Sequence, residues 1–403
     1  MASNGHCSPR FERVHEEFER NFAERGELGA SLCVWHDGEK VVDLWGGIAD
    51  PTSGREWDAD TIQVLMSCSK GVTATCAHLL VDQGLLDLES PVSRYWPEFG
   101  QHGKRDILVR QILTHQSGVA HVDGQVPAGG FNDWDLMVKM LEETAPFWDP
   151  GTRVGYHGLA YGWLIGELVR RITGMTIGSF LREQVTEPLG LDLWLGLPAE
   201  HESRVAPSLV TTDASIDALP PRLIAALKDP NSLILRTTSN MGGWIAGWDT
   251  PEAHAAEIPA GGAIGNARSL AGMYAPLSVG GTLDGVRLAS NVALARMRNA
   301  YSWTDLDAVL CIRTCYTMGF AKSWPNPGPG NGVIIGEDAF GTPGIGGQIG
   351  FADPACRLAF AYTMNQHGPG AGLNERGQSL IDATYQILGS PTSEPGFWLT
   401  PAR

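Results

Sequence analysis

The chain has 403 residues, of which 43% are apolar and 18% charged, enough apolar matter for a large core and too little charge for a disordered chain. Its 29 Lys and Arg stand against 45 Asp and Glu, a formal charge of −16. That field repels polyanions, so nucleic acid and anionic membrane are excluded as expected partners.

Along the chain, Phe11, Val14, Phe18 and Phe22 recur at helical spacing and predict a helix over 9–25, stopped by Gly26 and Gly29. Ala30–Trp35 and Val41–Trp45 read as two strands around the turn His36-Asp37-Gly38. A second helix is expected over 68–84, with Val72, Cys76, Leu79 and Leu80 on one face. A third, over 158–173, carries Leu159, Trp163, Leu164, Leu168 and Ile172, and Gly174 sits where a C-cap glycine belongs. Otherwise residues 86–250 mix short helical patterns with loops punctuated by Pro and Gly. Val309–Tyr316, Gly332–Ile335, Gly347–Ala352 and Leu358–Met364 are strand-like, with a loop Pro325–Gly330 between two of them, and 373–388 is helical. Strands at both ends and helices in the middle predict an α+β fold, an α/β sandwich. Its antiparallel sheet is built from both termini and flanked by helices, with a mainly helical domain inserted. The expected limits are 1–85 and 250–403 for the sheet domain and 86–249 for the insertion, with the active site between them.

Seven cysteines, an odd number in a long chain, do not look like a secreted disulfide framework. Cys311 and Cys315 have no His or Cys cluster beside them, which favours strand residues over a zinc site. The first twenty residues hold no apolar segment of signal-peptide type, and no run approaches 18 uncharged apolar residues. A cytoplasmic location is expected.

Three places can carry chemistry. Ser67-Cys68-Ser69-Lys70 is an S-x-x-K at the start of the second helix. Residues i and i+3 share a helix face, so Lys70 can reach Ser67 Oγ, and a helix start offers an unpaired N–H to an oxyanion. The competing reading is an N-cap serine followed by a solvated lysine. Tyr156 precedes the third helix, where its phenol can act as a proton relay or simply pack at the helix entrance; beside it, His157 reads as a structural loop histidine. The glycine-rich Phe340–Gly350 permits close approach of a ligand to backbone, or forms a flexible hairpin; it fits no dinucleotide register. His115, between Thr114 and Ser117, reads as part of a hydrogen-bonded turn. No G-x-S-x-G, H-E-x-x-H or P-loop occurs.

Together these stretches resemble the serine β-lactamase-like, penicillin-binding-protein superfamily, and within it the family VIII carboxylesterases, relatives of class C β-lactamases. The resemblance spans about residues 10–390. It rests on the segments beginning at Gly26, Asp43, Ser67, Tyr95, Ile112, Pro150, Tyr161 and Gly350, among them Ile112-Leu-Thr-His-Gln-Ser-Gly and Tyr161-Gly-Trp-Leu-Ile-Gly-Glu. It implies that Ser67 is the acylated nucleophile, Lys70 its base and Tyr156 the proton relay. The backbone N–H groups of Ser67 and Ile345 would form the oxyanion hole. Two departures stand out. The tyrosine motif has Gly158 where β-lactamases usually have Asn. The third motif reads Thr342-Pro343-Gly344, where those enzymes carry K-T-G and esterases often H-x-G. Loss of that cation argues against efficient β-lactamase or carboxypeptidase action, and His157 and Gln348 are candidates to compensate. Thr342, Gly344 and Trp244 join them as candidate substrate contacts, with Phe131, Trp134 and Trp248 as further pocket or core aromatics.

The resulting expectation is a serine hydrolase cleaving small-molecule carboxylic esters through an acyl-enzyme, with no metal or organic cofactor. The alternatives are an acyltransferase or transesterase acting on a specialised metabolite, a weak β-lactamase, and a catalytically dead member that only binds.

Overall fold

The computed structural model describes residues 3–210, 221–240, 242, 247–326, 332–368, 372–392 and 397–401. The pattern in Leu358–Met364 shows how its sheet is covered. Leu358, Phe360, Tyr362 and Met364 alternate with Ala359, Ala361 and Thr363, and a strand sends alternate side chains to opposite faces. The large residues pack against Val14, Phe18, Leu380, Ile381 and Tyr385. These belong to the first helix, α1 (Glu12–Glu24), and the last, here called α6 (Glu375–Ile387). The small residues let a buried helix, α5 (Ala267–Ser278), come close on the other face.

The main sheet runs β1 (Asn4–Cys7), β3 (Glu39–Asp50), β2 (Gly29–His36), β6 (Leu358–Met364), β5 (Gln348–Asp353), β4 (Phe340–Gly344). Every neighbouring pair is antiparallel. Both ends of the chain therefore build it, joined at the centre by β2 and β6, where Cys33 lies opposite Ala361. Between the ends come α2 (Ser69–Asp82), α3 (Trp134–Glu143) and α4 (Ala160–Thr173). Gly174 takes the left-handed conformation, φ 74°, that ends α4. One apolar core joins Cys33, Ala359 and Ala361 of the sheet to Val72, Trp163 and Leu164 of the helices.

Three expectations differ. Of Val309–Tyr316 only Thr314–Tyr316 is strand, paired with Ser302–Thr304, because the Asp307 carboxylate takes the Val309 and Leu310 N–H groups and turns the chain. Cys315 is half-buried on that strand; Cys311 belongs to the turn. Gly332–Ile335 forms only isolated bridges, Trp324 to Val333 and Gly332 to Leu373. Conversely, the glycine-rich 340–344 is strand β4, where Pro343 is tolerated at the last position in the sheet order. Residues 327–330 of the expected loop, and Trp244, lie outside the described residues.

Candidate active site

Ser67 sits in a tight turn, Met66–Cys68, that runs straight into α2. Met66 takes φ +47°, an uncommon conformation for a residue with a side chain, and this turns the chain so that Ser67 faces the cavity. Ser69 Oγ braces the turn, donating to Met66 O at 2.5 Å and accepting the Ala263 N–H at 2.9 Å. Gly344 packs on the same turn: a Cβ there would stand 3.0 Å from Leu65 O and 3.3 Å from Cys68 Sγ.

Lys70, one helical step on, is 2% exposed. Its Nζ donates to Ser67 Oγ at 3.2 Å and to Ala260 O at 2.9 Å, and lies 4.6 Å from the Tyr156 ring centre. Thr73 Oγ1 donates to Pro259 O at 2.6 Å, which ties α2 to the segment carrying that carbonyl. Burial lowers the Lys70 pKa to about 7. The lysine therefore gives up its proton near neutrality, as a general base must.

Tyr156 Oη is 2.7 Å from Ser67 Oγ. Burial pushes its phenol upward, only partly opposed by the Ser67 hydrogen bond, so it stays protonated at neutral pH. Its loop is clamped from behind. Gly155 N–H donates to His115 O at 3.0 Å, and His157 N–H to His115 Nδ1 at 3.1 Å. The His157 ring engages Gly155 O at 2.7 Å and Ser117 Oγ at 2.6 Å. His115 itself takes φ +57° and packs, tilted or edge-on, against the rings of Tyr156, Tyr161 and Tyr316. Accepting an N–H at Nδ1 fixes its neutral ring as the Nε2–H tautomer.

Ser67, Lys70 and Tyr156 open onto a cavity of about 400 Å³ walled by apolar side chains, among them Leu159, Ile234, Val309, Leu310 and Trp324. Among the described residues lining it, Lys70 is the one Lys or Arg, and there is no Asp or Glu. His115 and His121 also line it, and burial lowers the pKa of both. Among the described residues, the backbone N–H groups of Ser67 and Ile345 have no protein partner, and the Ile345 side chain is 47% exposed at the cavity.

The other expected contacts divide. Thr342, Ile345 and Trp248 reach the cavity. His157 does not: it is fully buried with both ring nitrogens bonded, and burial lowers it to about 4. Gln348 is also fully buried, donating to Val64 O at 3.2 Å, and so braces the backbone three residues before Ser67. Gly344 serves packing, as above. Phe131 packs on Trp163, and Trp134 Nε1 donates to Glu167 at 3.0 Å; both belong to the helical core. Sequence reasoning missed the Ala260 carbonyl and the cavity position of His115. Backbone acceptors leave no trace in residue identity.

Comparison with known proteins adds three findings. The family model described as Beta-lactamase matches residues 16–384. The protein "Esterase/beta-lactamase LipL" of Mycobacterium tuberculosis is 34% identical over 370 residues, covering 90% of this chain and 82% of that protein. Two solved structures superpose over 96% of this chain and 100% of theirs, each at 36% identity. They are a family VIII carboxylesterase, TM-score 0.81, and a penicillin-binding protein homolog from Caulobacter crescentus, TM-score 0.82.

Proposed function

The chain belongs to the beta-lactamase family, and on that footing we propose that it hydrolyses carboxylic esters through an acyl-enzyme on Ser67. One observation carries the reading: Ser67 Oγ is within hydrogen-bond reach of both Lys70 Nζ and Tyr156 Oη, in a mainly apolar cavity. Neutral Lys70 takes the Ser67 proton as Oγ attacks the ester carbonyl carbon. The N–H groups of Ser67 and Ile345 hold the oxyanion of the tetrahedral intermediate. Tyr156 passes a proton to the departing alcohol and is recharged through Lys70. Water then attacks the acyl-enzyme with the same groups in reverse.

The cavity also favours esters over β-lactams. Thr342 stands where related enzymes hold a cation against the substrate carboxylate, and no described lining residue replaces it. A neutral acyl group meets apolar walls; a carboxylate would be stripped of water without a partner. Transfer to an alcohol differs only in what attacks the acyl-enzyme, and the same apolar walls suit such an acceptor. The seven unpaired thiols fit a reducing cytoplasm.

The test is turnover of p-nitrophenyl acetate, butyrate and octanoate by wild type and Ser67→Ala. We expect the variant to lose about 10³-fold or more of kcat, in line with loss of covalent catalysis. Undiminished turnover in Ser67→Ala would overturn the assignment.

A further inference from the structure

Asp307 is 1% exposed and takes no part in the chemistry above. Its Oδ1 accepts three backbone N–H groups: Tyr156 at 3.0 Å, Val309 at 2.9 Å and Leu310 at 2.9 Å. Its Oδ2 accepts the Thr314 hydroxyl at 3.1 Å. Among the described residues no Lys, Arg or His forms an ion pair with it. Its position is set by these four donors. A return stitch runs alongside, from Ala308 N–H to Val154 O at 2.9 Å, so the segments 154–156 and 307–310 are laced together.

The donors belong to two different parts of the site. Tyr156 carries the phenol that touches Ser67. Val309 and Leu310 form part of the apolar wall of the cavity. A buried carboxylate deprived of its donors, or donors deprived of it, costs free energy, so the two parts are held at one spacing.

We propose that Asp307 is a positioning residue for the acyl transfer, setting the Tyr156 phenol and the acyl-chain wall at Val309 and Leu310 in register. The proposal rests on the ester reading above. It makes two effects inseparable. Loosening Asp307 slows proton transfer for every ester, and it changes how the enzyme ranks short against long acyl chains. A role in folding alone would lower the active fraction and leave both values per active site untouched.

The experiment compares wild type, Asp307→Ala and Asp307→Asn, with active sites counted by a fluorophosphonate that labels Ser67. The readouts are kcat and KM for p-nitrophenyl acetate and octanoate, and the rate of phosphonylation. Asp307→Ala should lose about 10²-fold of kcat per labelled site on both esters, within the range of a lost acid–base group, and shift the octanoate-to-acetate ratio several-fold. Asp307→Asn keeps one oxygen for the three N–H groups and should stay within about tenfold of wild type. Wild-type kcat and an unchanged ratio in Asp307→Ala would overturn the proposal. A wild type that turns over neither ester would instead overturn the ester reading; the phosphonylation rate, slowed in Asp307→Ala or not, then decides on Asp307. Should Asp307→Ala not fold, Thr314→Val removes only the Oδ2 partner. A kcat lowered about threefold with a shifted ratio sustains the proposal, and unchanged values overturn it.

Discussion

At the scale of single residues, the proposed role of Lys70 ties rate and stability to one proton. Its pKa in the folded chain, about 7, lies below the ordinary 10.5 because burial penalises the charge. The base form therefore appears as pH rises through about 7, and kcat/KM should climb over pH 6–8 with a midpoint near 7 in a stopped-time ester assay. The sign for stability follows from the same shift. Between pH 7 and 10.5 the unfolded chain binds a proton that the folded chain does not, so this group favours unfolding increasingly as pH falls across that window. Lys70→Met should be inactive yet melt at a higher temperature than wild type at pH 7, with the gap closing toward pH 10 in calorimetry. A rate that stays flat from pH 6 to 8 would contradict the assignment of Lys70 as base. That Ser67, Lys70 and Tyr156 lie close together was legible because helix spacing and a position before a helix are local features of sequence. The structural reading of His157 held, but its candidacy and that of Gln348 as substrate contacts did not: a polar side chain looks the same whether it faces substrate or braces a loop, and only burial tells the two apart.

At the scale of elements, α2 sits close against α5 and β4, and Gly71 marks the approach. A Cβ there would stand 2.1 Å from Tyr274 Oη and 2.9 Å from Thr342 Oγ1. Gly71→Ala should cost about 1–3 kcal/mol in chemical denaturation, the usual range for overpacking. Because Gly71 follows Lys70 directly, it should also lower kcat toward esters; full stability and full activity would contradict the packing described. The alternation of Leu358–Met364 made β6 readable to its ends. Strand β4 escaped because Gly and Pro carry no β signal, and what holds Phe340–Gly344 in the sheet is its pairing with β5, a long-range fact. The error over Val309–Leu310 has the opposite cause. An apolar run suggests a strand, but these side chains line the cavity and Asp307 takes the N–H groups a strand would need.

At the scale of the whole molecule, the two ends of the chain meet in one sheet and thereby bring distant residues together. Ile345 follows β4, Ser67 lies in the turn just before α2, and Tyr156 precedes α4. The order of strand and helix signals along the sequence revealed this plan. It carries no signal for the one apolar core that runs from the sheet into the helices. Nor did the net charge of −16 foretell a cavity whose described lining holds no carboxylate; charge summed over a surface says nothing of its concave parts. The central claim is that these parts converge to make Ser67 a nucleophile. The most direct measurement is intact-protein and peptide mass spectrometry after acid quenching during turnover of p-nitrophenyl butyrate. The account predicts one added acyl group, on the peptide containing Ser67, absent from Ser67→Ala. Turnover without any acylated protein, or an acyl group on another residue, would contradict it.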